Sequence, residues 1–148
     1  MRNWPENLEK GVIQADLFPD NVLFEQGQIS GVLDFYFACN DMFAYDLAIA
    51  ITAWCLDKNN DFAPQLAIAL LDGYTSCRSL KHAEQLALPI LLRGAAIRFS
   101  LTRLADSFAK KADAGLQKSP AEFLQRLQFF RSEAENAATD KPVWRQRL

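Results

Sequence analysis

Apolar positions follow two spacings along the chain, and the change of spacing separates a β-rich beginning from a helical remainder. Short apolar runs at residues 11–15, 21–25 and 29–33 are typical of strands. The second and third runs flank a Gln-Gly-Gln segment at residues 26–28, and a glycine-bearing connection of this length predicts a β-hairpin. This three-stranded β element has few partners of its own, so we expect it to pack on the helices.

From residue 46 onward, apolar residues recur at the spacing of helices. This spacing predicts four helices, over residues 46–56, 64–77 and 83–111 and from residue 120 onward. Ser119 is a candidate N-cap, and Pro64 and Pro120 suit first helical turns. Pro89 lies inside the third helix and is expected to kink or split it. About the last dozen residues are expected to form a loose tail.

The fold class predicted from this order is α+β, with a short N-terminal β-hairpin region followed by a mainly α-helical body. A chain of 148 residues, half of them hydrophobic, is long enough for one domain with its own core. We therefore expect residues 1–148 to form a single domain.

Charge and cysteine content narrow the possible partners and compartment. The net charge is -2, which favours neither nucleic acid nor an acidic membrane surface as a partner. No apolar run approaches the roughly 20 residues of a membrane span, and the first residues do not form a signal peptide. Cys39, Cys55 and Cys77 are scattered, which suits a reducing compartment. We expect a cytoplasmic protein whose cysteines are small buried residues.

Three polar residues around the hairpin form the pattern that carries chemistry. Asp16 is followed five residues later by Asn21, and Asp34 ends the second arm of the hairpin just before a phenylalanine. This order is typical of the metal site of protein-kinase-like phosphotransferases. In it, Asp16 would orient or deprotonate an acceptor hydroxyl, while Asn21 and Asp34 would bind Mg²⁺, which prefers oxygen ligands. The alternative is that these residues are turn formers and a strand end; Asp20 is explained by turn chemistry alone.

Three segments resemble homoserine kinases of the aminoglycoside-phosphotransferase-like family. They are VIQADLFPDNVLF at residues 12–24, GVLDFYFAC at residues 31–39 and YDLAI at residues 45–49. The resemblance extends from about residue 11 to about residue 131, and its most family-specific part is DFYFAC. It implies the C-terminal lobe of a protein-kinase-like phosphotransferase, with Asp16 matching the catalytic aspartate and Asn21 and Asp34 the metal ligands.

The activity implied by this resemblance is transfer of the ATP γ-phosphate to the homoserine hydroxyl, a step toward threonine, with Mg²⁺. Two features depart from the family. Gln14 stands where the family usually has a histidine, which brings full activity into question although Gln keeps a donor and an acceptor. Fifteen residues precede Asp16, so we expect the N-terminal nucleotide lobe to be absent, ATP binding by this chain alone to be weak, and the chain to be inactive alone.

Several other residues have two interpretations each. Asp46 either braces the loop around Asp16 or caps a helix. Arg98 could meet a substrate carboxylate, although a solvated helix face is the simpler interpretation. His82, the only histidine, is expected on the surface or at a helix start. Trp54 and the aromatic residues 35–37 could line an acceptor pocket but are expected in the core.

Two further functions stay open. One is a related kinase for choline or an aminoglycoside. The other is a non-catalytic, truncated binding module that associates with itself or a partner through the apolar surface a missing lobe would leave exposed. The residues in GVLDFYFAC favour homoserine by resemblance.

Overall fold

The computed structural model describes residues 4–109 and 120–136. Its strands are β1 (Lys10–Ile13), β2 (Val22–Glu25), β3 (Gln28–Val32) and β4 (Cys39–Met42). Its helices are α1 (Phe43–Trp54), α2 (Pro64–Cys77), α3 (His82–Ala109) and α4 (Pro120–Asn136), and a 3₁₀ turn covers Pro19–Asn21. This is the α+β fold expected from the sequence. Within these ranges no helix is both long and apolar enough to cross a membrane.

The strands form two separate antiparallel pairs rather than one three-stranded element. The β2–β3 hairpin was predicted and is confirmed, with Gln26 and Gly27 at φ 50° and 79° in its turn. Two successive positive φ values match the twist of a tight hairpin, and glycine adopts one of them at no steric cost. The expectation that β1 joins this hairpin is wrong. It pairs with β4, from Lys10 opposite Met42 to Ile13 opposite Cys39.

Helix boundaries differ from the predicted ones mainly at α1 and α3. The first helix begins at Phe43, directly after β4, so Asp46 lies in its first turn instead of at its start. The third helix runs unbroken through Pro89, so of the two expected effects of this proline, a kink or a split, the split is wrong. His82 is its first residue and is exposed, as expected. Ser119, residues 110–111 and the predicted C-terminal tail lie outside the described residues.

The core lies between α1, α3, α4 and the inner side of the strands. Nine of the twelve residues of α1 are buried, so this helix is the centre of the structure. It packs on α3, which in turn packs on α4. Phe18, Phe99 and Phe123 meet edge-on or tilted at centroid separations of 4.8 to 6.0 Å and join the loop before β2 to both helices.

The buried face of α4 contains a charge that the apolar spacing did not indicate. Leu124 is 49% exposed, whereas Arg126 is buried with its guanidinium 4.1 Å from the centroid of the Phe123 ring. Its Nη1 donates to the Thr52 carbonyl and its Nη2 to Asn60 Oδ1. Burial lowers the pKa of Arg126 to about 10.

Candidate active site

The loop between β1 and β2 holds Asp16 and Asn21 together. Asn21 Nδ2 donates to the Asp16 backbone carbonyl at 2.8 Å and to Asp16 Oδ2 at 3.1 Å. Backbone bonds from Phe18 to Asp16 and from Asn21 to Phe18 tighten the turn between them. The expected turn follows Asp16, and it places the side chains of Asp16 and Asn21 next to each other.

Gln14 connects this loop to the end of the hairpin. Its Nε2 donates to the carbonyls of Leu33 and Asp34, at 3.2 and 2.7 Å, while its Oε1 accepts from the Asp16 backbone N–H at 2.7 Å. The Leu33 N–H also donates to the Asn21 carbonyl at 2.8 Å. The segments that carry Asp16, Asn21 and Asp34 are thereby joined by hydrogen bonds, and Gln14 contacts two of them.

Asp46 reaches the same loop from α1. Its Oδ1 accepts from the Ala15 N–H at 2.8 Å and its Oδ2 from the Gln14 N–H at 3.3 Å. Ala15 has φ 63°, in the left-handed region that non-glycine residues rarely adopt, so this backbone needs outside support. These contacts fit the interpretation of Asp46 as a brace for the loop. They do not fit a helix cap, because the residue before the helix is Met42.

Asp34 is exposed and also has a left-handed backbone, with φ 52°. Its Oδ1 accepts from the Tyr36 N–H at 3.2 Å. The pKa of Asp16 is raised above its ordinary value, chiefly by burial, and the negative charges of Asp34 and Asp20 raise it further, while Asn21 and Arg98 oppose the rise.

This donor set fits a magnesium ion. Asn21 and Asp34 offer an amide and a carboxylate oxygen, the hard ligands that Mg²⁺ prefers, and a cation there would offset the effect of the Asp34 charge on the pKa of Asp16. Because Nδ2 of Asn21 donates to Asp16, the Oδ1 atom of Asn21 is the one available to bind a metal. Among residues 4–109 and 120–136, no three histidine, cysteine or acidic side chains are grouped so that they could hold a metal ion by themselves.

The sequence favoured a solvated helix face for Arg98, and this prediction is wrong. Its Nη1 donates to the Ala15 carbonyl at 2.7 Å, and its guanidinium lies 5.6 Å from the Phe37 centroid and 4.7 Å from the Phe99 centroid. A signal was present in the sequence, because Arg98 follows the buried Leu91 by seven residues and the buried Ala95 by three, on the inner side of α3.

The aromatic loop after Asp34 is largely exposed, which contradicts its expected place in the core. Phe35, Tyr36 and Phe37 are 59%, 87% and 44% exposed. Trp54 is partly buried and packs on the core, and its Nε1 donates to the Leu17 carbonyl at 2.8 Å.

Cys55 is buried, whereas Cys39 and Cys77 are exposed; all three are free thiols. Burial raises the pKa of Cys55 to about 12. Two of the three cysteines thus lie on the surface, contrary to the expectation from sequence.

Residues 1–80 match the phosphotransferase enzyme family, which is more than half of the chain. The segment matched contains every residue of the candidate site except Arg98. The chain belongs to the phosphotransferase enzyme family.

Several curated homoserine kinases are similar to this chain. The chain is 54% identical over 132 residues to a homoserine kinase from Nitrobacter hamburgensis, with 88% of this chain and 40% of that protein aligned. It is 53% identical to homoserine kinases from Gluconobacter oxydans, over 87% of this chain and 42% of that protein, and from Parvibaculum lavamentivorans, over 92% and 43%. The chain spans about two fifths of the length of these relatives.

Proposed function

We propose that this chain supplies the magnesium- and acceptor-binding part of an ATP-dependent homoserine kinase. The observation that carries the proposal is the hydrogen-bonded junction of the two loops, in which Asn21 contacts Asp16 and Gln14 contacts the carbonyl of Asp34. Kinase-like phosphoryl transfer needs an acceptor-orienting carboxylate beside oxygen ligands for a metal, and this junction supports such an arrangement.

Each residue has a defined task in this proposal. Asp16 accepts a hydrogen bond from the acceptor hydroxyl and takes its proton as the phosphoryl group arrives. Asn21 and Asp34 are the ligands for Mg²⁺, which when bound neutralises charge on the transferred phosphoryl group. Gln14 and Asp46 hold the backbone around Asp16, so its carboxylate meets the hydroxyl without reorganising.

The proposed acceptor is homoserine, because relatives about half identical to this chain are homoserine kinases. The product would be O-phosphohomoserine, on the route to threonine. We place the reaction in the cytoplasm, where ATP is present and the free thiols of the chain would stay reduced.

A chimera tests the proposal. The segment of the Nitrobacter hamburgensis homoserine kinase that matches this chain is replaced by this chain, and ADP release is measured with homoserine, choline and an aminoglycoside as acceptors. We expect ADP release with homoserine only. Asp16→Asn should lower kcat by about 100-fold or more, since the general base is lost.

The matched control is Asp20→Asn in the same turn, which should change kcat far less than Asp16→Asn, because in this proposal Asp20 holds neither the acceptor nor the metal and affects Asp16 through its charge. A folded chimera that phosphorylates choline or the aminoglycoside but not homoserine would contradict the acceptor assignment. Full activity in Asp16→Asn would contradict the catalytic assignment.

A further inference from the structure

Arg98 is held against the loop that carries Asp16 by a contact between distant parts of the chain. It donates one hydrogen bond to the carbonyl of Ala15, the residue before Asp16, across 83 positions of sequence. A guanidinium has five N–H donors, and this contact uses one of them. Arg98 is half-buried, so the guanidinium is neither free in solvent nor sealed in the core.

Two aromatic rings restrict the guanidinium further. Phe99, on the same helix, lies under it, and Phe37, in the exposed loop after Asp34, lies on another side. Rings at 4.7 and 5.6 Å favour the cation and limit the directions in which it can swing. Arg98 also interacts with the Tyr45 hydroxyl, so it presents its remaining donors from a restricted position between the two loops of the candidate site.

The charge of Arg98 also matters at this place. It is the cation that lowers the pKa of Asp16 against the effects of burial and of Asp34 and Asp20. A small anion that approaches Asp16 would be repelled by these three carboxylates, and Arg98 is the basic side chain placed to attract it. A guanidinium edge matches a carboxylate in shape, with two parallel N–H donors facing two oxygens.

We propose that Arg98 binds the carboxylate of the acceptor, and so selects an amino acid over a carboxylate-free amino alcohol. The inference rests on the proposed function, since it assumes that the acceptor hydroxyl reaches Asp16. In homoserine the hydroxyl oxygen and the carboxylate carbon are separated by four bonds, which places them roughly 5 Å apart in the fully extended zigzag. Arg98 is anchored on Ala15, the residue next to Asp16, so its guanidinium lies within reach of the carboxylate of an acceptor whose hydroxyl meets Asp16.

Binding of two ligands to the 148-residue chain, in the presence of Mg²⁺, tests the inference by NMR titration. One ligand is L-homoserine, and the other is homoserinol, in which the carboxylate is reduced to an alcohol. The wild-type chain should bind homoserine more tightly. Arg98→Gln should weaken the binding of homoserine by about 10- to 100-fold, because the carboxylate of homoserine loses its charged partner. The binding of homoserinol, which has no carboxylate, should weaken by less than about threefold.

Two further variants separate ligand binding from a structural role. Arg98→Lys keeps the charge and one donor for the Ala15 carbonyl but not the forked geometry, so it should recover part of the homoserine affinity. Arg93→Gln, on the same helix and also half-buried, should change neither affinity. Equal weakening of both ligands by Arg98→Gln, equal wild-type affinities for the two ligands, or no binding of either would overturn the inference.

The same substitutions in the chimera distinguish this inference from the proposed function. If the chimera phosphorylates homoserine and Arg98→Gln raises the KM for homoserine and homoserinol equally, the function stands and the carboxylate anchor is wrong. If the chain shows the Arg98-dependent preference for homoserine but the chimera transfers no phosphate to it, the anchor stands and the function is wrong.

Discussion

Gln14 makes three side-chain hydrogen bonds, two as donor to the carbonyls of Leu33 and Asp34 and one as acceptor from the N–H of Asp16. A neutral histidine, the residue that the resemblance leads us to expect at this position, has one donor and one acceptor. Gln14 can therefore make one contact more than the residue it replaces. The replacement is thus compatible with a well-ordered loop.

Gln14→Glu tests this role, because it exchanges the donating nitrogen for an oxygen that faces two carbonyls. The free energy of unfolding should fall by about 3 kcal/mol, as a buried charge is left against acceptors. Urea denaturation at neutral pH measures it. Gln28→Glu, at an exposed position of the hairpin, is the matched control and should change stability little. A similar loss in both variants would mean that Gln14 has no special bonding role.

Cysteine reactivity provides a second prediction at this scale. Burial raises the pKa of Cys55 from 9.0 to about 12, so the native protein should present a protonated, inaccessible thiol there. A thiol reagent at pH 8 should label Cys39 and Cys77 quickly and Cys55 only after unfolding. The thiol of Cys55 ionises at lower pH in the unfolded chain than in the folded one, so ionisation favours the unfolded state. The free energy of unfolding should therefore fall as pH rises from 9.0 toward 12.

The thiol count is followed by mass spectrometry, and Cys55→Ala identifies the slow site. Rapid labelling of three thiols in the folded wild-type chain would contradict the buried position of Cys55. Loss of stability above pH 9 that is unchanged in Cys55→Ala would contradict its share in the pH dependence.

At the scale of elements, the corner between α2 and α3 is held by a buried carboxylate. Glu84 is 1% exposed and accepts from Arg78, at 2.7 and 3.2 Å, and from the Lys81 backbone N–H at 2.9 Å. The last contact is half of a capping box at the start of α3. The hydrogen bond to Glu84 is the main cause that raises the pKa of Arg78. Arg78 also pairs with Glu9 before β1.

Glu84→Gln removes the charge from this corner and leaves Arg78 partly buried without its main partner. We expect the free energy of unfolding to fall by about 3 kcal/mol, the order found when one member of a buried pair is removed. Thermal and urea unfolding measure the change. Glu9→Gln removes the exposed partner of the same arginine and should have little effect. If the two variants lost equal stability, the burial of Glu84 would not matter.

Local signals predicted the hairpin and the helices, and failed where partners lie far apart in sequence. Short apolar runs on either side of Gln26 and Gly27 were sufficient to predict β2 and β3. Strand β4 has the sequence Cys-Asn-Asp-Met, which has no strand pattern, and it forms because β1 supplies its hydrogen bonds. Pro89 did not split α3, because packing of that helix on α1 and α4 outweighs one lost backbone bond.

At the scale of the whole molecule, the order of Asp16, Asn21 and Asp34 was sufficient to predict which loops meet. It was not sufficient for Arg98, whose contact with Ala15 depends on how α3 packs across the core. The burial of Arg126 was missed for the same reason, since its partners Thr52 and Asn60 lie on and after α1. Contacts set by packing of whole helices leave only a weak trace in local sequence.

The 148-residue chain alone should bind Mg-ATP more weakly than micromolar. Its sequence contains no glycine-rich phosphate loop, and a kinase of this kind takes much of its nucleotide affinity from such a loop and a paired lysine. Isothermal titration measures the affinity, and the chimera is the control that should bind more tightly. A micromolar dissociation constant for the isolated chain would contradict the prediction.

The chain alone should also associate with itself as concentration rises. Leu23, Leu33, Phe35, Tyr36 and Phe37 are between 44% and 87% exposed and follow one another around the hairpin and the loop after it. Exposed apolar side chains grouped in this way favour contact with another surface. Light scattering during size-exclusion chromatography measures the mass, and Phe35→Ser with Tyr36→Ser should reduce association. A monomer at all concentrations would contradict it.

Ala15 is the residue at which two helices act on the two adjoining peptide groups, one on each side of its Cα. Its N–H is bound by Asp46 of α1 and its carbonyl by Arg98 of α3, while its own side chain is a single methyl group. Any sliding of α1 relative to α3 would therefore rotate the backbone just ahead of Asp16 and re-aim that carboxylate. Substitutions deep between the two helices, far from any ligand, should for this reason alter the chemistry as readily as they alter the stability.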